Sequence, residues 1–333
     1  MDGSAPLVIG HRGAPGYLPE HTRASYELAI AQGADAVEPD VVPTKDGVLV
    51  VRHENEISET TDVASRPEFA DRRTTKSFAG VRMTGWFAED FTWDELSTLR
   101  CRERIPGLRP ESARHDGAEP PLRLRDVLAI ARAGGAGVVV EIKHDALFSS
   151  LGFDLAAMTA DEIRSSGWGE DDGPLVIESF EQAALTRIRD EGLGAPLVYL
   201  VEASGTAPDR LLAEGDDAPS YRDQLAPEGL AALADGVDGI SVHKRLLLDA
   251  EGLGAASGFV EDARARGLSL FTWTCRPENA FLLPRHRSSG GRAAHGDWRA
   301  EWREIARAEP DGVFVDHADL GVAAFRSSAS TRA

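Results

Sequence analysis

Two cysteines in 333 residues, Cys101 and Cys275, are too few and too far apart for a disulfide-stapled scaffold or a closely spaced zinc site. Two free thiols are expected instead. No run approaches the roughly 18 apolar residues of a membrane-spanning helix. The first loop lacks the G-x-G-x-x-G fingerprint of a dinucleotide-binding sheet. Positive charge is also short, with 36 Lys and Arg against 55 Asp and Glu, a formal net charge of −19. Such a surface repels a phosphate backbone, which argues against a nucleic-acid partner. It also requires any anionic substrate to find a local cationic focus. No basic segment followed by an apolar run opens the chain, which predicts a cytoplasmic protein, or one from which a leader has been removed.

What is present is a rhythm. Short apolar runs recur along the chain: "PLVIG", "DAVEPDVV" with "VLVVRH", "GVVVEIK", "PLVIESF", "PLVYLVE", "DGISVH", "LSLFTWT" and "DGVFVDH". Helix-like stretches separate them, among them "RASYELAIAQG", "RLRDVLAIARAG" and "FEQAALTRIRDEG", several closing on the Gly that suits a left-handed turn. About eight such units predict a closed (β/α)8 barrel, a TIM barrel, formed by residues 1–333 as one domain. The rhythm fails between residues 54 and 120, rich in charge, Pro and Gly, which reads as an insertion within the barrel after strand two.

In such a barrel the chemistry lies at the carboxyl ends of the strands. Strand one ends on His11 and Arg12. Strand two carries Glu38 and Asp40, and a Lys45–Asp46–Gly47 turn returns the chain to His53. Strand three ends on Glu141 and Lys143. Residues two apart on a strand share a face, so the carboxylates project together. Crowded acids repel unless a cation joins them, and an all-oxygen donor set suits Ca²⁺ or Mg²⁺. The alternative is that they pair only with Arg12, Lys143 and other bases. Two histidines can supply one acid and one base, while an arginine fork and a lysine hold phosphate oxygens.

The ordered set "HRG" (11–13), "GYLPEHT" (16–22), "EPD" (38–40), "TKDGVLVVRH" (44–53), "EIK" (141–143), "IESF" (177–180) and "DGVFVDH" (311–317) resembles the glycerophosphodiester phosphodiesterase family, in particular its longer bacterial, periplasmic-type members. The resemblance implies a phospholipase-C-like phosphodiesterase barrel that hydrolyses a small, water-soluble glycerophosphodiester to glycerol 3-phosphate and an alcohol. It implies Glu38, Asp40 and Glu141 as ligands of one divalent cation, His11 and His53 as the acid/base pair, and Arg12 and Lys143 as phosphate ligands. Glu20 matches a supporting glutamate. Where the family usually has Asp after the second histidine, this chain has Glu54. Trp273 and Phe271, with Phe180, Glu178, His243 and Asp316 at other strand ends, are candidates for lining the substrate pocket. The nearest alternative is phospholipase D- or C-like action on lysophospholipids or phospholipids. No basic amphipathic segment favours it, and integral membrane association is not expected. The oligomeric state is not readable.

Overall fold

The computed structural model describes residues 5–78, 80–169, 171–248 and 258–327. Its strands are β1 (Leu7–His11), β2 (Ala36–Glu38), β3 (Asp40–Pro43), β4 (Leu49–Val51), β5 (Thr74–Phe78), β6 (Val81–Gly85), β7 (Gly137–Ile142), β8 (Leu175–Ser179), β9 (Leu197–Val201), β10 (Gly239–His243), β11 (Ser269–Cys275) and β12 (Gly312–Val315). Eight of them close a parallel ring in the order β1, β2, β7, β8, β9, β10, β11, β12, with β12 pairing back to β1. Helices between the strands cover the outside, as the alternating pattern requires. Pro39 interrupts the second strand. β3 continues beside β7, then turns at Gly47 (φ +77°) into the antiparallel β4. Residues 54–120 carry the β5–β6 hairpin and several short helical turns. No described helix is long and apolar enough to cross a membrane.

The strand pleat sorts side chains into two cores. Val8, Val37, Val138, Val140, Ile177, Ile240 and Val313 face outward into the layer between strands and helices. Ile9, Ala36, Val139, Val176, Val198, Phe271 and Phe314 face inward and form a separate apolar plug within the ring. Phe271, a pocket candidate from the sequence, therefore belongs to this plug, against Phe314 at 6.5 Å between ring centres. Burial of each larger apolar side chain here contributes roughly 1.5–3 kcal/mol.

One inward position further along each strand, the chemistry changes. Above Ile9 comes His11, above Ala36 Glu38, above Val139 Glu141, above Val176 Glu178, above Phe271 Trp273 and above Phe314 Asp316. Carboxylates in these positions cost stability unless they are compensated. Cys101 and Cys275 are both buried free thiols.

Candidate active site

The turn after β1 sets the site's first wall. Arg12 (φ 56°) and Gly13 (φ 94°) are both left-handed, which swings the chain away from the strand direction. A Cβ on Gly13 would lie 2.6 Å from Ser25 Oγ, so glycine is needed for the loop to pack on the following helix. The Arg12 amide donates to the Glu38 side chain at 2.9 Å. Its guanidinium lies 3.3 Å from Glu20 and 3.2 Å from Asp40. Thr22 caps the helix Arg23–Ala31, which leaves His21 (φ 58°) fully buried with its Nε2 2.9 Å from Asp40 Oδ2 and its Nδ1 2.6 Å from the Tyr26 hydroxyl. No pattern in the sequence marks His21 for a role, although it stands within the "GYLPEHT" segment.

Strand register gathers the acids. Glu38 is level with His11, and Asp40, Glu141 and Glu178 are level with one another across β3, β7 and β8. Donor oxygens of Glu38, Glu141 and Glu178 lie within 4.8 Å of one another. Asp40 stands beside them, its Oδ2 held by His21 and Arg12 and its Oδ1 3.8 Å from Lys143 Nζ. Lys143 Nζ donates to Glu141 at 2.7 Å.

Burial drives the charge states apart. It pushes the carboxyls of Glu38 and Glu178 well above the usual range, with neighbouring acids adding to the effect. Glu141 is raised to about 8, again chiefly by burial, with Lys143 opposing. Burial also works against ionisation of Asp40, yet His53, Arg12, Lys143 and the hydrogen bond from His21 outweigh it and hold that carboxyl well below its usual value. Glu38 Oε1, Asp40 Oδ1 and Glu178 Oε2 are buried oxygens with no hydrogen-bond partner among the described residues. A crowd of buried oxygens lacking donors fits a hard divalent cation, so the cluster can hold one.

The two histidines have different surroundings. His11 Nδ1 is 2.7 Å from Asp316 Oδ1, and Arg109 and Arg276 grip the other Asp316 oxygen at 2.5 and 2.6 Å. Burial and then Arg12 lower His11 to about 3 despite Asp316. His53 Nδ1 lies 2.8 Å from Glu54 Oε1, an ion-pair contact without hydrogen-bond geometry, and Glu54 Oε2 is 3.1 Å from His144 Nε2. Burial, Arg12 and Lys143 bring His53 well below its ordinary value although Asp40 and Glu54 oppose them. His11 opens into a cavity of about 70 Å³ lined by Arg12, Arg104, Arg109 and Arg276, among others. His53 opens into a neighbouring cavity of about 440 Å³, and Glu20 and Arg104 border both.

A third cavity, of about 310 Å³, lies beside Glu141 and Lys143 and is bordered by Phe180 and Tyr221. Phe180 packs edge-on to Trp273 at 5.5 Å, the Lys143 ammonium lies 5.3 Å from the Phe180 ring centre, and His243 meets Trp273 at 5.0 Å. The structure thus brings together His11, Arg12, Glu38, Asp40, Glu141 and Lys143, sets His53 at the adjoining cavity, and places Phe180 at the border of the third cavity with Trp273 packed against it. Glu178 joins the acids instead of lining a pocket. Arg104 and Arg109 come from the irregular 54–120 segment, where no local pattern pointed to them.

The model of the glycerophosphoryl diester phosphodiesterase family matches residues 11–320, a span that includes every residue of this mouth. The chain belongs to that family. A glycerophosphodiester phosphodiesterase of Arabidopsis thaliana is 30% identical over 84% of this chain and 77% of its own length. One of Treponema pallidum is 28% identical over 74% of this chain and 73% of its own. The fold is shared with a solved protein of Silicibacter pomeroyi described as a glycerophosphoryl diester phosphodiesterase (TM-score 0.68, 22% identity, 98% of this chain and 95% of that one). It is shared also with an Oleispira antarctica phosphodiesterase solved with the product sn-glycerol-3-phosphate (TM-score 0.63, 21% identity, 97% of each chain). In family terms, the barrel mouth described above is where the diesterase site would lie.

Proposed function

We propose that this phosphodiesterase hydrolyses water-soluble glycerophosphodiesters to glycerol 3-phosphate and an alcohol, with His11 as general base and His53 as general acid. The observation that carries the reading is the unequal setting of the two histidines around a mouth lined with acids, Arg12 and Lys143. The relatives' activity and the product held by the Oleispira protein support the substrate class.

Asp316 accepts the Nδ1 proton of His11, which leaves Nε2 as the free lone pair. Asp316 already shares its charge with Arg109 and Arg276, so it orients this imidazole more than it helps it hold a second proton. An uncharged His11 takes a proton from the nucleophile. His53 opens into the larger neighbouring cavity with Glu54 Oε1 2.8 Å from its Nδ1, a placement that suits it to pass a proton to the departing alkoxide. Arg12 and Lys143 hold the non-bridging phosphate oxygens. A Ca²⁺ or Mg²⁺ ion on the carboxylates supplies further neutralisation of phosphate charge when bound.

The test varies the leaving group. His11→Ala is expected to lower kcat by about 10²–10⁴ for choline-type and p-nitrophenol diesters alike. His53→Ala should show such a loss only with the choline-type substrate, since p-nitrophenolate leaves without a proton. Equal losses for His53→Ala on both substrates would overturn the acid assignment. Full activity in both variants would overturn the histidine mechanism altogether.

A further inference from the structure

We propose that Glu178 is itself a ligand of the divalent cation, so that four carboxylates surround the ion, an arrangement favouring Ca²⁺ over Mg²⁺. The inference rests on the metal-dependent reading above and extends it to a residue that the EPD and EIK segments do not contain. Glu178, one residue before the end of β8, is directly in register with Glu141, its side chain on the same inward face. It is 2% exposed, and no ion pair or hydrogen bond reaches its side chain among the described residues.

The contrast with nearby acids is what gives this weight. Glu181 accepts the Ala146 amide at 2.8 Å, and Glu278 is paired with Arg109 at 2.8 Å. Asp316 has two arginines and a histidine. Glu178 instead faces other acids, the donor oxygens of Glu38 and Glu141 lying within 4.8 Å, and Lys143 acts on it without pairing with it. Glu38 Oε1, 1% exposed at the residue level, likewise lacks a partner. A buried carboxyl so placed must either keep a proton or share a cation.

Charge balance favours the cation. Glu38, Asp40, Glu141, Glu178 and Glu20 are answered locally by Arg12, Lys143 and Arg104, which leaves two negative charges for a divalent ion. Mg²⁺ keeps most of its water and takes one or two carboxylates, whereas Ca²⁺ accepts six to eight oxygens in a looser shell.

Chelator-stripped wild type, Glu38→Gln and Glu178→Gln proteins, titrated calorimetrically with Ca²⁺ and with Mg²⁺, test this. Glu178→Gln should weaken Ca²⁺ binding by at least about tenfold and Mg²⁺ binding by less, and should shrink the rise in melting temperature that Ca²⁺ gives the wild type. Wild-type Ca²⁺ affinity in Glu178→Gln, with binding lost in Glu38→Gln, would overturn the inference and leave the metal reading intact. No ion binding by the wild type, or undiminished binding by Glu38→Gln, would overturn the metal reading itself.

Discussion

Glu181, one residue beyond Phe180, shows how a single buried acid beside the site shapes stability. Burial pushes its carboxyl from 4.5 up to about 7, the Ala146 amide opposes this, and Asp145 and Asp209 add to it. Between those two values the folded chain keeps a proton that the unfolded chain releases. The stability Glu181 allows is therefore complete below about pH 4.5 and is lost as pH rises through about 7. Glu181→Gln should stabilise the protein at pH 8 by on the order of 2 kcal/mol, with the difference vanishing near pH 4. Urea unfolding at both pH values reads this, and a gain of equal size at both would refute it. Arg12 and His21 belong to the same scale. Each holds a left-handed backbone that costs a non-glycine residue on the order of 1–3 kcal/mol, and each spends it on contact with Asp40.

At the scale of elements, the ring strands and the helices between them were legible because each strand alternates an outward apolar residue with an inward one. The inward set switches from apolar to polar at the mouth. That switch made His11, Glu38 and Glu141 readable, and Glu178 and Asp316 follow the same rule. The β5–β6 hairpin was harder: Thr74, Thr75 and Val81 are β-formers around Gly80 (φ +80°), but the flanking charge hides the alternation. Arg109 and Arg276 were not legible, because their meaning comes from Asp316, 207 and 40 residues away along the chain. Packing inside the ring also gives a test. A Cβ on Gly312 would lie 2.3 Å from Phe271 Cδ1 and 3.2 Å from Ile9, leaving the ring little room to retreat. Gly312→Ala should destabilise by about 1–3 kcal/mol, read as a lower melting temperature. An unchanged melting temperature would show that the plug has slack.

At the scale of the whole molecule, a net charge of −19 surrounds a mouth in which Arg12, Arg104, Arg109, Arg276 and Lys143 cluster. Salt screens the distant field more than contacts within the site, since the Debye length is about 8 Å at physiological ionic strength. For an anionic diester, kcat/KM should therefore rise as NaCl goes from about 10 to 150 mM, the reverse of ordinary electrostatic steering. A monotonic fall over that range would mean that the cationic cluster governs approach as well as binding.

The break at Pro39 has a last consequence. β2 meets β7 through only Ala36–Gly137 and Val37–Val138 before β3 takes over at Asp40–Glu141. This is the thinnest seam of the cylinder, and the acids stand directly on its upper lip. A cation that drew Glu38 on one side toward Glu141 on the other would act as a clasp, so that loading the site and keeping the barrel shut would be the same event.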